Sequence, residues 1–133
     1  MKRRELRERI FEILFRVEFM NEAEMEEQME LFFEDLAEAK PSDVDYIKNK
    51  FMAIHEKVDM IDVLIDEKST GWKTNRMGKV ELTILRLAVY EMLFDADVPV
   101  NVAINEAVEI AKKYGGDDTP AFVNGILAKV AVV

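Results

Sequence analysis

The chain contains no cysteine and only one histidine among its 133 residues. Without cysteine it cannot form a disulfide, a zinc–thiolate site or a cysteine nucleophile. No apolar run reaches the roughly 18 residues that a membrane-spanning helix needs. The first residues, MKRRELRER, lack the apolar core of a secretory signal. These absences predict a cytoplasmic protein that does not associate with membranes.

Sequence patterns that would indicate catalysis are also absent. Gly115-Gly116-Asp117-Asp118 lacks the Gly-Lys-Ser/Thr ending of a phosphate-binding P-loop. His55 is not part of a Glu-x-x-His or other metal-ligand spacing, so we interpret it as a structural residue. No Ser–His–Asp set is indicated. The sequence therefore predicts a protein that is not an enzyme and binds no cofactor or metal.

Positive charge is scarce, and it is unevenly distributed. The formal net charge is −9, which argues against a generic nucleic-acid binder. Residues 1–16 nevertheless carry six Lys/Arg against three Glu, whereas residues 17–47 carry one Lys against eleven Asp/Glu. The acidic segment is either a solvated helix that keeps the protein soluble or a surface that repels RNA and restricts it to one track.

Apolar residues recur at the helical period along the whole chain, and no strand pattern is present. The sequence predicts an all-α fold of about seven helices in two packed bundles, residues 1–67 and 68–133, together forming one domain. The first helix is expected from about Arg3 to Phe19, with an apolar stripe on one side. The third is expected to be long, with its period sustained from Tyr46 to Ile65. The run from Leu82 to Phe94 is apolar nearly all round and predicts a central helix.

Several single residues are given structural roles by their position. Gly115-Gly116 is expected to end a helix in the left-handed conformation, and Thr119 to cap the next one. Trp72 is expected to fill the junction between the two halves. The other expectations are a buried Met/Phe face on the second helix, a buried ion pair involving Arg86 and Glu106, and backbone hydrogen bonding by Asn105 and Asn124.

The first helix also carries a basic and aromatic flank. At about 100° per residue, Arg4, Arg7, Phe11 and Phe15 fall on one side of the apolar stripe. Guanidinium groups can neutralise phosphates, and aromatic rings can stack on unpaired bases. Alternatively, the two phenylalanines widen the buried face and the arginines cover its edge.

The segment from Gly115 to Pro120 leads into a helix N-terminus, ordinarily a place where phosphate binds. Asp117 and Asp118 would repel phosphate, but a carboxylate can accept hydrogen bonds from base amino groups. The alternative is that both residues only complement the helix dipole.

Three stretches, ILRLAVYEMLF, VPVNVAINEAVEIAKKYG and FVNGIL, resemble the C-terminal blocks of the NusB family of transcription antitermination factors. The resemblance covers nearly the whole chain. It implies an RNA-binding protein that recognises a single-stranded boxA-like element together with the ribosomal protein NusE, acts on ribosomal RNA operons, and meets other antitermination factors and RNA polymerase indirectly. The RNA-binding positions that it implies are Arg3, Arg4, Arg7, Phe15, Asp118, Thr119 and Phe122.

The match to this family has departures. Phe15 stands where the family often has tyrosine, Glu5 and Glu8 dilute the basic motif, and Thr119-Pro120-Ala121 lacks the polar and basic residues common there. We therefore expect weak RNA binding by the isolated protein and a strong dependence on the partner. A helical protein–protein adaptor without RNA binding is the alternative, and a homodimer stays open.

Overall fold

The structure is a computed structural model that describes residues 1–18 and 20–132. Within these residues the chain forms seven α-helices, one short 3₁₀ helix at Thr74–Arg76 and no strand. The helices are α1 (Arg3–Val17), α2 (Glu22–Glu34), α3 (Pro41–Glu56), α4 (Val58–Lys68), α5 (Lys79–Phe94), α6 (Val100–Tyr114) and α7 (Thr119–Ala131). The predicted all-α class is confirmed.

Two compact units divide the chain at His55 and Glu56. The sequence placed this boundary at residues 67 and 68. The division comes earlier because α4 packs against α5 and α7 and so belongs with the C-terminal helices. The expected long third helix is also two helices, since Lys57 interrupts it at φ −104° and ψ 5°. No glycine or proline stands there, so periodicity alone predicted a continuous helix.

The N-terminal unit contains α1, α2 and α3. The apolar stripe of α1 is buried as predicted: Leu6, Ile10, Ile13, Leu14 and Val17. Its predicted end at Phe19 lies outside the described residues. Asn21 caps α2 by accepting a hydrogen bond from the Glu24 N–H at 2.9 Å. The α1–α2 contact includes the Arg16 guanidinium, 5.3 Å from the centroid of the Phe32 ring.

The Met/Phe face predicted for α2 is largely not buried. Only Phe32 is buried on this helix, while Met25, Met29 and Phe33 are half-buried. The helix ends at Glu34, so Leu36, which is half-buried, lies in the turns that follow the helix. Since a helix of this length is marginal on its own, the packing of Phe32 and of the half-buried Met25, Met29 and Phe33 supplies much of its stability.

The C-terminal unit is built around α5, which packs against α4, α6 and α7. Residues on every side of α5 are buried, including Leu82, Leu85, Ala88 and Val89, as its nearly continuous apolar composition predicted. Arg86 is held by Asp62 of α4, with Nε and Nη2 donating to the two carboxylate oxygens at 2.8 and 2.6 Å. This bidentate pair joins α4 to α5, and its acidic member was not foreseen from the sequence.

The predicted hydrogen bonding of Asn105 and Asn124 to backbone groups at tight helix contacts is wrong. Asn105 on α6 and Asn124 on α7 are both exposed, so neither side chain lies in a tight helix contact. The buried face of α6 carries small residues: Ala103, Ala107 and Ala111. Alanine lets neighbouring backbones approach without requiring a polar side chain to bridge them.

Candidate nucleic-acid interface

The basic start of α1 presents two arginines to solvent and buries a third. Arg3 and Arg4 are exposed, whereas Arg7 keeps only 8% of its surface accessible. Arg7 therefore offers much less surface for a phosphate contact than Arg3 or Arg4 does. The structure thus offers Arg3 and Arg4 as surface charges and gives Arg7 a supporting position in the helix.

The aromatic residues of α1 differ in the same way. Phe11 is 2% exposed, which confirms that it widens the buried face. Phe15 is half-buried and stacks on Phe11 with ring centroids 6.0 Å apart. The Phe15 ring is therefore supported from below and partly open to solvent, the arrangement that base stacking requires.

Part of the remaining positive charge on α1 is compensated within the helix. Arg9 Nη1 lies 2.6 Å from Glu12 Oε2, one turn further along. Such a pair lowers the net charge that the helix offers to an anion. The accessible positive charge at this end is consequently concentrated at the first turn of α1.

The loop between α6 and α7 is ordered by Thr119. The Thr119 hydroxyl accepts a hydrogen bond from the Gly116 N–H at 3.0 Å and donates one to Glu81 Oε1 at 3.1 Å. The residue is 4% exposed. It begins α7 rather than capping it, since the N-cap is Asp118. Thr119 therefore holds the loop against α5, and its hydroxyl is not presented to a ligand.

Gly115 ends α6 in an extended conformation, with φ −98° and ψ −178°, so the expected left-handed cap is wrong. The Gly115 N–H donates to the Ala111 carbonyl at 2.9 Å. Glycine is needed here for space: a Cβ at this position would lie 2.6 Å from side-chain atoms of Thr119. Gly116, by contrast, has open space around it.

Asp118 follows this fixed loop and is exposed. Its side chain makes no capping hydrogen bond to α7. The carboxylate thus stands at the start of a helix without satisfying the helix's first N–H groups. This position is compatible both with a charge that complements the helix dipole and with a carboxylate that accepts hydrogen bonds from a ligand.

An open cavity of about 250 Å³ lies beside this loop. One wall is aromatic: Trp72 and Phe122 meet edge to face, with ring centroids 6.4 Å apart and planes at 88°. The remaining lining includes Arg76, Glu81 and Asp118. Trp72 is 54% exposed, which corrects the expectation that its ring would be enclosed. The cavity brings Asp118, Thr119 and Phe122 together in the C-terminal unit.

A second cavity of about 210 Å³ shares the same aromatic pair. It is lined by Trp72, Phe122, Gly125 and Lys129, among others. Lys129 is exposed and supplies a positive charge. Trp72 and Phe122 are therefore accessible from two cavities, one with two carboxylates and one with an ammonium group.

Sequence reasoning missed three residues of this surface. Trp72 was expected to fill the junction between the two halves and was not given a role in binding. Arg76 and Glu81 were not singled out. Trp72 precedes the 3₁₀ helix and Arg76 is its last residue, so these two are close in sequence, whereas Glu81 joins the loop through a contact 38 residues away.

Metal and membrane features can be addressed within the same described residues. No group of three or more His, Cys, Asp or Glu side chains in residues 1–18 and 20–132 is arranged to hold a metal ion. His55 is exposed and stacks on Phe51 at 5.9 Å. None of the helices formed by these residues is long and apolar enough to traverse a membrane.

The arrangement of helices defines a known class of all-α proteins. The structure of NusB from T. maritima superimposes with a TM-score of 0.85 at 37% identity, covering 98% of this chain and 91% of that one. A crystal structure of antitermination factors NusB and NusE in complex with dsRNA matches with a TM-score of 0.79 at 26% identity, covering 96% and 94%.

The sequence comparisons identify the family itself. The NusB family model matches residues 4–132. The transcription antitermination protein NusB of Agathobacter rectalis is 56% identical over 98% of this chain and 100% of its own length. That of Lachnoclostridium phytofermentans is 54% identical over 98% of each. The chain belongs to the NusB family.

Proposed function

We propose that this protein is a transcription antitermination factor that binds RNA together with NusE. The observation that carries the proposal is near full-length similarity to proteins of that name, with 56% identity to one of them. A related NusB has been crystallised with NusE and dsRNA. The role requires recognition and assembly rather than catalysis, and action on transcripts places the protein in the cytoplasm.

The proposed RNA surface has a basic part and a base-reading part. Arg3 and Arg4 supply accessible charge for phosphates, and Phe15 supplies a supported ring for stacking. Asp118 and Phe122 are the base-reading residues beside the cavity. Arg7 supports α1, and Thr119 supports the loop that carries Asp118, because both side chains are buried.

Charge argues that NusE contributes much of the affinity. The protein has a net charge of −9, and only a few arginines are accessible on α1. A protein that makes so few phosphate contacts binds RNA weakly at physiological salt. Two weak RNA sites on two associated proteins gain affinity through effective concentration. We propose that NusE docks on helical surface beside α1, so that both proteins touch one RNA.

Transcription through a terminator tests this function directly. A template whose transcript carries a boxA element and a template with that element scrambled are transcribed with the purified protein, NusE and the other factors of the complex. We expect more readthrough on the boxA template only when this protein is present. Equal readthrough on both templates would leave the helical adaptor as the better account.

A separate binding experiment tests whether the protein recognises single-stranded or double-stranded RNA. Single-stranded boxA RNA, its duplex with a complementary strand and a scrambled single strand are each titrated with the protein–NusE complex. A base-reading Asp118 requires unpaired base edges, so the single strand should bind most tightly. Tighter binding of the duplex would assign recognition to backbone shape instead.

A further inference from the structure

The connection between α4 and α5 holds Trp72 in a closed turn. The Trp72 N–H donates to the Ser69 carbonyl at 3.1 Å, and the Ser69 hydroxyl donates to the Trp72 carbonyl. Gly71 is the third residue of this turn and has φ +85°, which a type II turn requires at that position and glycine adopts without strain. Ser69 is 3% exposed and directly follows α4. The turn therefore fixes the backbone of Trp72 to the end of that helix.

Asp66 of α4 holds the chain on the other side of Trp72. Its Oδ1 accepts a hydrogen bond from the Thr74 N–H at 2.7 Å, and its Oδ2 accepts one from the Thr74 hydroxyl at 3.4 Å. Hydrogen bonds to an ionised carboxylate are stronger than those between neutral groups. Thr74 begins the 3₁₀ helix. Trp72 thus lies between two attachments to α4, one at Ser69 and one at Thr74.

This double attachment positions an aromatic ring that core packing does not enclose. Trp72 is 54% exposed, so burial alone does not determine where it lies. Its ring meets that of Phe122 on α7 edge to face, with centroids 6.4 Å apart. Aromatic pairs in this geometry attract each other beyond the effect of the area they bury. Phe122 is itself half-buried, so contact with Trp72 limits the orientations that its ring can take.

Phe122 belongs to the RNA surface proposed above, and the inference that follows rests on that function. We infer that Asp66, Ser69 and Trp72 are positioning residues for RNA binding. Asp66 and Ser69 hold Trp72, and Trp72 sets the orientation of Phe122. Asp66 is not among the residues that line the two cavities. Its effect on RNA binding is therefore transmitted through the connection that it holds.

Three variants on α4 form a matched series. D66A leaves the Thr74 N–H without its acceptor, whereas D66N keeps a side-chain oxygen that can accept. E67A removes a charge from the neighbouring, exposed residue. Trp72 is the only tryptophan in the chain, so its fluorescence reports on the turn directly. We expect lower fluorescence anisotropy and steeper acrylamide quenching in D66A, and signals close to wild type in D66N and E67A.

RNA affinity of the protein–NusE complex shows whether the effect reaches Phe122. D66A should weaken binding of single-stranded boxA RNA by about fivefold, the lower limit for loss of a stacking ring. In an F122A background D66A should change the affinity by less than about twofold, because residues that act through one contact are not additive. S69A removes the other attachment and is the second variant for the same comparison. Urea unfolding of each variant confirms that the titrated protein is folded.

The outcomes separate positioning from a structural role. A lower free energy of unfolding for D66A and S69A, with Trp72 fluorescence and RNA affinity of the folded protein unchanged, would overturn the inference. Equal losses of affinity from D66A in the wild-type and F122A backgrounds would also overturn it, because Asp66 would then act independently of Phe122. Both results leave the antitermination function standing. No RNA binding by the wild-type protein with NusE present would overturn that function as well.

Discussion

The hydroxyl of Thr119 donates a hydrogen bond to Oε1 of Glu81 at 3.1 Å, although 38 residues separate them in sequence. The same hydroxyl accepts from the Gly116 N–H. One buried side chain thus ties the loop before α7 to the first turn of α5. The position of Asp118 depends on this connection.

Replacing Thr119 tests the connection. T119V keeps the side-chain shape but removes the hydroxyl, leaving the Gly116 N–H and the Glu81 carboxylate each without this partner. We expect a loss of about 1–3 kcal/mol in the free energy of unfolding, measured with urea. T119S retains the hydroxyl and should lose less. A larger loss for T119S than for T119V would mean that packing of the methyl group, and not the two hydrogen bonds, holds the loop.

The two glycines of the loop should respond differently to alanine. G115A places a Cβ against Thr119, where there is no room, so the loop must shift. We expect G115A to lower the free energy of unfolding by about 1–3 kcal/mol and to weaken RNA binding. G116A has open space and is the control, with little expected change. The observation against this account would be similar RNA affinities for G115A and G116A.

Salt dependence should separate the arginines of α1. R3A and R4A each remove an accessible charge and should reduce the slope of log K against log salt by about 0.7 for single-stranded RNA. Arg7 is buried, so R7A should lower stability and change the slope less. The measurement is RNA affinity at several salt concentrations. A slope that changes with R7A alone would place the phosphate contact at Arg7.

The Arg86–Asp62 pair should contribute more to stability than a pair on the helix surface. Its side chains are 11% and 22% exposed, and D62A leaves the guanidinium without its bidentate partner. We expect D62A to cost about 2–3 kcal/mol in unfolding free energy. E12A removes the partner of Arg9 within α1 and should cost less than about 1 kcal/mol. Comparable costs would show that the α4–α5 contact does not depend on the ion pair.

Helix positions were predictable from sequence where one apolar period dominates. The stripe from Leu6 to Val17 and the buried run in α5 both follow from periodicity alone. The break at Lys57 was not predictable, because no breaker residue stands there. In the structure the Lys57 ammonium lies 4.8 Å from the centroid of the Phe94 ring on α5, a tertiary contact that a local pattern cannot contain.

The candidate site was predictable in part. Residue type and resemblance pointed to Arg3, Arg4, Asp118 and Phe122, which are at least partly accessible. The same reasoning could not tell that Arg7 and Thr119 are buried, since burial is a property of the packed fold. Trp72 shows the converse error: it was expected to fill the junction between the two halves, whereas its ring is 54% exposed and lines the cavity.

The central claim is that RNA recognition is shared between this protein and NusE. The direct measurement is the affinity for boxA RNA and for scrambled RNA at physiological salt, with and without NusE. We expect the isolated protein to bind both RNAs weakly, within the range of about 10⁻⁴ to 10⁻⁶ M found for non-specific contacts. With NusE, boxA RNA should bind at least about tenfold more tightly than the scrambled control. Equally tight and selective binding of boxA RNA without NusE would contradict the account.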